Sequence, residues 1–147
     1  MRLTTKGRFA VTAMIDLAMN SRNGAVKLHD ISNRQQISLS YLEQLFAKLR
    51  RAELVGSVRG PGGGYVLAHT ADRINIAQII AAAEDKLDAT QCSSKGNCQN
   101  GMPCLTHNLW ESLNQTIHNY LSSVTLQSIL DDAYRPNEQT VVLTRIH

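Results

Sequence analysis

The chain has 147 residues, a length that suits one domain or one small domain with an extension. Hydrophobic residues make up 43% of it, as in ordinary soluble globular proteins, and the formal charge at pH 7 is +3. No run approaches the roughly 18 consecutive apolar residues that a membrane span needs. No signal-peptide pattern opens the sequence, so we expect a cytoplasmic protein that does not associate with a membrane.

The charge is unevenly distributed along the chain. Residues 1–70 hold ten Lys and Arg against four Asp and Glu, whereas residues 71–147 hold five against eight. A basic first half is typical of a protein that binds a polyanion such as nucleic acid. The alternative is that these charges only solvate the surface.

Three helices are predicted first, over residues 6–19, 28–35 and 39–52. Lys6 lies in the first turn of the first helix, where the helix dipole disfavours a cation unless an anion such as phosphate joins it. The second and third helices are separated only by residues 36–38, which is the helix-turn-helix pattern. Small and amide side chains on the polar face of the third helix suit base edges in a major groove, although such helix pairs also occur as plain packing units. That face holds Ser40, Gln44, Ala47 and Arg51.

Glu43 has two interpretations. It could complete a capping box, Ser40-x-x-Glu43, that satisfies backbone N–H groups at the start of the third helix. It could instead face DNA, where a carboxylate repels phosphates but accepts a hydrogen bond from cytosine N4. In that position an acidic residue would make binding selective by penalising the wrong sequences.

A β-hairpin is predicted directly after the third helix. Two strand-like runs, residues 54–58 and 65–68, flank the glycine-rich segment RGPGGG. The Walker pattern of a phosphate-binding loop is absent, so the hairpin is better interpreted as a wing. Arg59 could then enter a minor groove, while the glycines let the backbone approach the sugar–phosphate rail. The alternative is a tight hairpin with an exposed arginine.

The second half is predicted to be helical apart from one polar loop. Asn75 can cap a helix that runs to about Glu84, and Thr125 can cap a last short helix over residues 126–130. Between them, a long helix from Leu105 repeats apolar residues at every fourth position as far as Leu121. Its apolar surface needs a partner, and a second copy of the chain is the simplest one; burial within the monomer is the alternative.

The polar loop holds all three cysteines, Cys92, Cys98 and Cys104, with five residues between neighbours and His107 close behind. An odd number excludes a complete intrachain disulfide framework, and a loop with almost no apolar residues needs something other than packing to order it. A bound metal or cluster would do so, whereas a redox thiol switch is the weaker alternative. Zinc sites usually use closer ligand pairs, so the even spacing favours an iron–sulfur cluster. A histidine ligand would make that site labile and dependent on pH.

Four segments, MRLTTKGRFAVTAM, ISLSYLEQLFAKLRRAELV, SVRGPGGGY and CLTH, follow one another in a recognisable order between residues 1 and 107. The chain resembles the IscR family of winged-helix iron–sulfur regulators. The resemblance implies a mainly α fold with a small β-hairpin wing and a homodimeric transcription factor. It also implies a 2Fe–2S cluster supplied by the iron–sulfur assembly machinery, double-stranded DNA operators as partners, and control of iron–sulfur assembly genes. The implied ligands are Cys92, Cys98, Cys104 and His107, and the implied DNA contacts are Lys6, Ser38, Ser40, Tyr41, Glu43, Gln44, Arg59 and Gly60.

On this basis we divide the chain into four parts. Residues 1–88 are the winged helix-turn-helix region, 89–107 the cluster loop, 105–131 the dimerisation helix region, and 132–147 a tail without a match. The nitric-oxide-sensing branch of the same family is the alternative function, and His107 favours the assembly regulator over it. Sequence alone does not separate 2Fe–2S from 4Fe–4S.

Two other classes of protein fit less well. A small electron-transfer or cluster-delivery protein would not need the basic first half or the wing. An enzyme would need paired carboxylates, a nucleophile with its base, or a cofactor-binding glycine motif, and we find none of them in the sequence. We therefore predict that the chain is not an enzyme.

Overall fold

The computed structural model describes residues 5–84 and 106–133. The predictions for Cys92, Cys98 and Cys104, for Leu105 and for most of the tail lie outside the described residues. Within these ranges the fold is mainly α with one β-hairpin, as predicted. The elements are α1 (Thr5–Asn20), α2 (Leu28–Gln35), α3 (Leu39–Arg51), β1 (Val55–Val58), β2 (Gly64–Leu67), α4 (Ile76–Ala83), α5 (His107–Ser123) and α6 (Leu126–Ala133), with 3-10 turns at Ser21–Asn23 and Ala71–Arg73.

One hydrophobic core joins the helices of the described part. Helix α1 packs against α4, α3 and α6, and α4 also packs against α3. Each of these helices contributes the face that its apolar periodicity predicts. The buried residues include Ala10, Met14 and Leu17 of α1, Leu42, Leu45, Phe46 and Leu49 of α3, Ile76, Ile79 and Ile80 of α4, and Leu126 and Leu130 of α6.

The start of α3 differs from the predicted capping box. Ser38, in an extended conformation, is the N-cap residue, and its Oγ accepts a hydrogen bond from the Tyr41 N–H at 3.2 Å. Gln36, the C-cap residue of α2, lies in the left-handed region with φ of 55°. Only Ile37 separates it from Ser38, which caps α3. Ser40 is therefore already helical, and the Ser40-x-x-Glu43 capping box is wrong.

The other two predicted caps are confirmed. Asn75 and Gln78 form a reciprocal capping box at the start of α4, with both hydrogen bonds at 2.9 Å. Thr125 Oγ1 accepts from the Ser128 N–H at 3.1 Å at the start of α6. Both helices therefore begin where side-chain chemistry satisfies their first N–H groups.

The hairpin pairs β1 with β2 in antiparallel register, from Val55 opposite Leu67 to Val58 opposite Gly64. A third segment joins it, because Val26 and Tyr65 exchange backbone hydrogen bonds of 2.9 and 2.7 Å. Gly64 makes this close approach possible, since a Cβ there would lie 2.3 Å from the Val26 carbonyl oxygen. The wing is thus fixed to the stretch that leads into the helix-turn-helix.

A buried carboxylate joins α1 to the end of α2. Asp16 is 2% exposed and accepts hydrogen bonds from Arg34 Nη2 at 2.7 Å and Arg34 Nε at 3.0 Å. Gln35 Nε2 donates a third at 2.8 Å. Burial acts to raise the pKa of Asp16, but the hydrogen bonds and charge of Arg34 and the bond from Gln35 outweigh it, so the pKa lies below its usual value.

Helix α5 differs from the other helices because none of its 17 residues is buried. Its carboxyl end is nevertheless tied to the core through the turn before α6. The Ile76 N–H donates to the Val124 carbonyl at 2.9 Å, and the Leu126 N–H donates to the Ile74 carbonyl at 2.9 Å. These bonds join the α5–α6 turn to the start of α4.

We predict that Asp16→Asn lowers the free energy of unfolding by about 2 kcal/mol, because a charge-assisted hydrogen-bond network loses its charge. The folded-state pKa of Asp16 is depressed, so its contribution is complete above the unfolded-state pKa of about 3.9 and is lost as the pH falls from there through the folded-state value. Urea unfolding at pH 7 and at intervals below pH 4.5 measures both effects.

Glu53→Gln is the matched control, since Glu53 is an exposed carboxylate just beyond α3 that takes no part in the Asp16–Arg34 network. It should leave stability nearly unchanged at pH 7. An Asp16→Asn protein with the stability and acid sensitivity of the parent would contradict the assigned role of the network.

Candidate nucleic-acid interface and cluster ligand

Helix α3 presents a polar face on the side opposite to its buried stripe. Ser40, Glu43 and Gln44 are all exposed there, and Ala47 and Arg51 continue the face toward the carboxyl end. The Glu43 carboxylate makes no hydrogen bond or ion pair to any residue within the described part of the chain. Because it also has no capping role, its carboxylate is directed to solvent on a face made of short polar groups.

Ser38 and Tyr41 lie at the start of the same helix but are held by the protein. The Ser38 hydroxyl is engaged as the N-cap, and the half-buried Tyr41 ring packs edge-to-face on Phe9 of α1, with ring centroids 5.6 Å apart. Burial raises the pKa of Tyr41, and the negative charge of Glu84 adds to the shift. The phenol therefore stays protonated and is able to donate a hydrogen bond to an acceptor such as phosphate.

The wing places Arg59 and Gly60 together immediately after β1, and both are exposed. Gly60 has a φ of +92°, and its carbonyl accepts from the Gly63 N–H at 2.9 Å. A Cβ on Gly63 would lie 2.3 Å from the Val58 carbonyl oxygen, so the turn closes too tightly for a side chain there. Lys6 is exposed in the first turn of α1, as predicted.

The end of α4 lies against α3. Glu84 is buried at the carboxyl cap of α4, and the Glu84 N–H donates to the Ile80 carbonyl at 2.8 Å. Lys48 of α3 extends its Nζ to 3.5 Å from the Ala83 carbonyl. Sequence periodicity did not indicate Glu84, Lys48 or the Val26 bridge, because each is a contact between residues far apart in the chain.

His107 is the first residue of α5, and its side chain is 17% exposed. Its Nε2 lies 3.8 Å from Glu111 Oε1, one turn further along. No group of three or more His, Cys, Asp or Glu able to hold a metal occurs among residues 5–84 and 106–133. A donor set of three thiolates and one imidazole suits a cluster or zinc, and a half-buried histidine directly after the cysteine segment is compatible with that set.

Helices α2 and α3 with the three-segment wing define the class of protein: a winged-helix DNA-binding protein. The family model Rrf2, described as an iron-dependent transcriptional regulator, matches residues 3–132. The chain belongs to the Rrf2 family of transcriptional regulators. In the described ranges, no helix combines the length and apolarity needed to cross a membrane.

Named relatives place the chain more closely. It is 72% identical to a helix-turn-helix-type transcriptional regulator of Neisseria meningitidis serogroup B, over the whole of both chains. It is 55% identical to the transcriptional regulator IscR of Photobacterium profundum, over 90% of this chain and 77% of that one. The solved structure of T. potens IscR is 39% identical, with a TM-score of 0.75 and coverage of 90% and 88%.

These comparisons confirm the resemblance to IscR and the winged-helix fold. The protein is an IscR-like member of the Rrf2 family. Because the family and these relatives are transcriptional regulators, the prediction that the chain is not an enzyme is confirmed.

We predict that Arg59→Ala weakens operator binding and lowers the slope of log affinity against log salt concentration by about one, since one cation that displaces counterions from the DNA is lost. Fluorescence anisotropy with a labelled operator at several salt concentrations measures both quantities. Arg73→Ala is the control, because Arg73 is exposed in the turn before α4 and outside the predicted contacts. Equal slopes for the two variants would show that Arg59 does not contact DNA.

Proposed function

We propose that this protein is a homodimeric transcription regulator that senses iron–sulfur cluster status and controls iron–sulfur assembly genes in the cytoplasm. The proposed sensor is a 2Fe–2S cluster held by Cys92, Cys98, Cys104 and His107. The observation that carries the proposal is the combination of an exposed Ser40–Glu43–Gln44 face on α3 with a half-buried histidine at the start of α5. The family description as iron-dependent and the IscR relatives support it.

On this proposal α3 enters the major groove. Gln44 would pair with adenine, Ser40 with either base type, and Glu43 would accept from cytosine N4. Ser38, Tyr41 and Lys6 would contact the sugar–phosphate backbone and fix the register of the helix. Arg59 and Gly60 would follow the neighbouring minor groove, where a narrow groove attracts arginine.

A second copy would cover α5. Leu113, Ile117 and Leu121 are only half-buried on one side of the helix, and two further apolar residues are more exposed, Leu109 at 58% and Tyr120 at 65%. A two-fold pairing of such helices would bury this surface on both chains. It would also place two recognition helices about one turn of DNA apart, which suits a palindromic operator.

The cluster would be supplied by the iron–sulfur assembly machinery and held at the amino end of α5. When bound, it supplies a redox-active and oxygen-sensitive centre whose occupancy follows the supply of clusters. An imidazole in place of one thiolate makes the cluster less negative, and histidine ligates only in its neutral form. Both properties favour a labile site, which suits a sensor better than a structural clip.

Two described interactions support a route from this site to DNA. Glu84, the last described residue before the cysteine segment, lies close enough to Tyr41 of α3 for its charge to act on that residue. The turn after α5 is hydrogen-bonded to the start of α4, and α4 packs on α3. A change in either the cluster loop or α5 would therefore reach the recognition helix through α4, and the loaded and empty forms would prefer different operators.

We predict that Glu43→Ala allows the empty protein to bind operators that the parent reserves for the cluster form. Loss of the carboxylate removes a penalty worth about 1–3 kcal/mol per mismatched base, so discrimination between the two operator types should fall by about fivefold or more. Selection from random DNA with loaded and empty protein measures it.

Glu53→Ala is the matched control for Glu43→Ala, because Glu53 is an exposed carboxylate just beyond α3. It should select the same operators as the parent. An unchanged operator preference for Glu43→Ala would rule out the proposed role of that carboxylate.

We predict that the protein purified under anaerobic conditions contains about two iron and two sulfide ions per chain. His107→Ala should alter the absorption spectrum and accelerate cluster loss, whereas His118→Ala, at an exposed site on the same helix, should do neither. Four iron ions per chain, or a spectrum indifferent to His107, would contradict the assembly regulator and favour a nitric-oxide sensor.

A further inference from the structure

Glu111 is the only Asp, Glu, Lys or Arg in the 17 residues of α5, and it lies one turn beyond His107. Its Oε1 is 3.8 Å from His107 Nε2. Residues four apart on a helix share a face, so the helix backbone itself brings this carboxylate to the imidazole. Glu111 belongs to neither the apolar stripe of α5 nor the DNA-binding face.

The imidazole is better protected from water than the carboxylate. The His107 side chain is 17% exposed and that of Glu111 is 41% exposed. An ion pair of this exposure contributes little to folding, so stability alone is a weak reason for the pair. A negative charge near the amino end of α5 also interacts favourably with the helix dipole, which is an alternative role for Glu111.

A histidine that ligates a metal uses one ring nitrogen for the metal and usually donates the other ring N–H to a carboxylate or carbonyl. This second contact fixes the tautomer, holds the ring plane and makes the imidazole a better donor. In this chain Nε2 is the nitrogen that faces a carboxylate. The 3.8 Å separation exceeds hydrogen-bond length, so a small rotation of the Glu111 side chain would be needed to complete a carboxylate–histidine–metal triad.

We infer that Glu111 is a positioning residue for the cluster site, which accepts the second ring N–H of His107 and thereby holds the cluster more tightly. The inference rests on the proposed function, since it requires His107 to be a cluster ligand. It predicts that this carboxylate tunes cluster retention without touching the cluster and without contacting DNA.

The test compares Glu111→Gln with the parent, both loaded and handled under anaerobic conditions at one fixed pH. We expect the loss of cluster absorption in the presence of a chelator to be about tenfold faster in Glu111→Gln. We also expect the nitrogen hyperfine coupling in pulsed EPR of the reduced cluster to change, because the neutral amide oxygen of Gln is a weaker acceptor for the other ring N–H than a carboxylate. Glu111→Asp keeps the charge and should recover part of the retention.

Asp131→Asn is the charge control, because it removes one exposed carboxylate from α6 and should leave both readouts unchanged. Circular dichroism of the empty proteins tests folding. If Glu111→Gln only shifts the melting temperature while retention and hyperfine coupling match the parent, Glu111 acts on the helix dipole and the inference is wrong.

These measurements distinguish a wrong role for Glu111 from a wrong proposed function. A parent protein that holds a cluster sensitive to His107→Ala, together with an unchanged Glu111→Gln, overturns only the inference. A parent protein without a cluster, or with one indifferent to His107→Ala, overturns the proposed function and this inference with it.

Discussion

The orientation of the helix-turn-helix depends on one buried carboxylate. Asp16 lies in α1, 18 residues before Arg34, and holds the last turn of α2 by bonds to Arg34 and Gln35. The next residue, Gln36, turns the chain in the left-handed region, and α3 begins three residues later. Because removal of one partner leaves the other charge without compensation, the network favours a single arrangement of α2 against α1. The orientation of the exposed face of α3 is therefore fixed relative to α1 and α2.

Helix α4 connects that base to the rest of the chain. It packs on α1 and α3, its first turn is hydrogen-bonded to the α5–α6 turn, and its last residues meet Lys48 of α3. A helix of eight residues has little freedom to bend, so a displacement at one end is passed to the other. Coupling between distant sites requires an element with two arrangements that both sites bias. On the proposed function α4 is that element, since the cluster segment follows it directly and the recognition helix lies against it.

Helices and caps, which depend on residues close together in the chain, could be predicted from the sequence. Contacts between residues far apart in the chain could not. Apolar periodicity placed the described helix ends to within three residues, the largest error being at the end of α6. Asn75 and Thr125 could be predicted as caps because a cap depends only on residues three apart. The capping box at Ser40 was wrong because the true start depends on the left-handed turn at Gln36, which no local pattern required. The Val26 bridge and the Asp16 pair join residues that only the tertiary fold brings together. The His107–Glu111 pair, by contrast, was open to a search at helical spacing.

The chemistry of the α3 face bears on how a weak signal could change operator choice. The first half of that face carries a hydroxyl, a carboxylate and an amide, and its basic residues come only in the last turn. Electrostatic attraction to DNA would then come mainly from Arg51 in that last turn and from Lys6 and Arg59 on other elements, and it does not depend on sequence. On the proposed function, discrimination at Glu43 would be worth about 1–3 kcal/mol, the same size as a typical allosteric coupling free energy. If cluster binding changed the free energy of operator binding by this amount, it would be enough to move the protein from one class of operator to another.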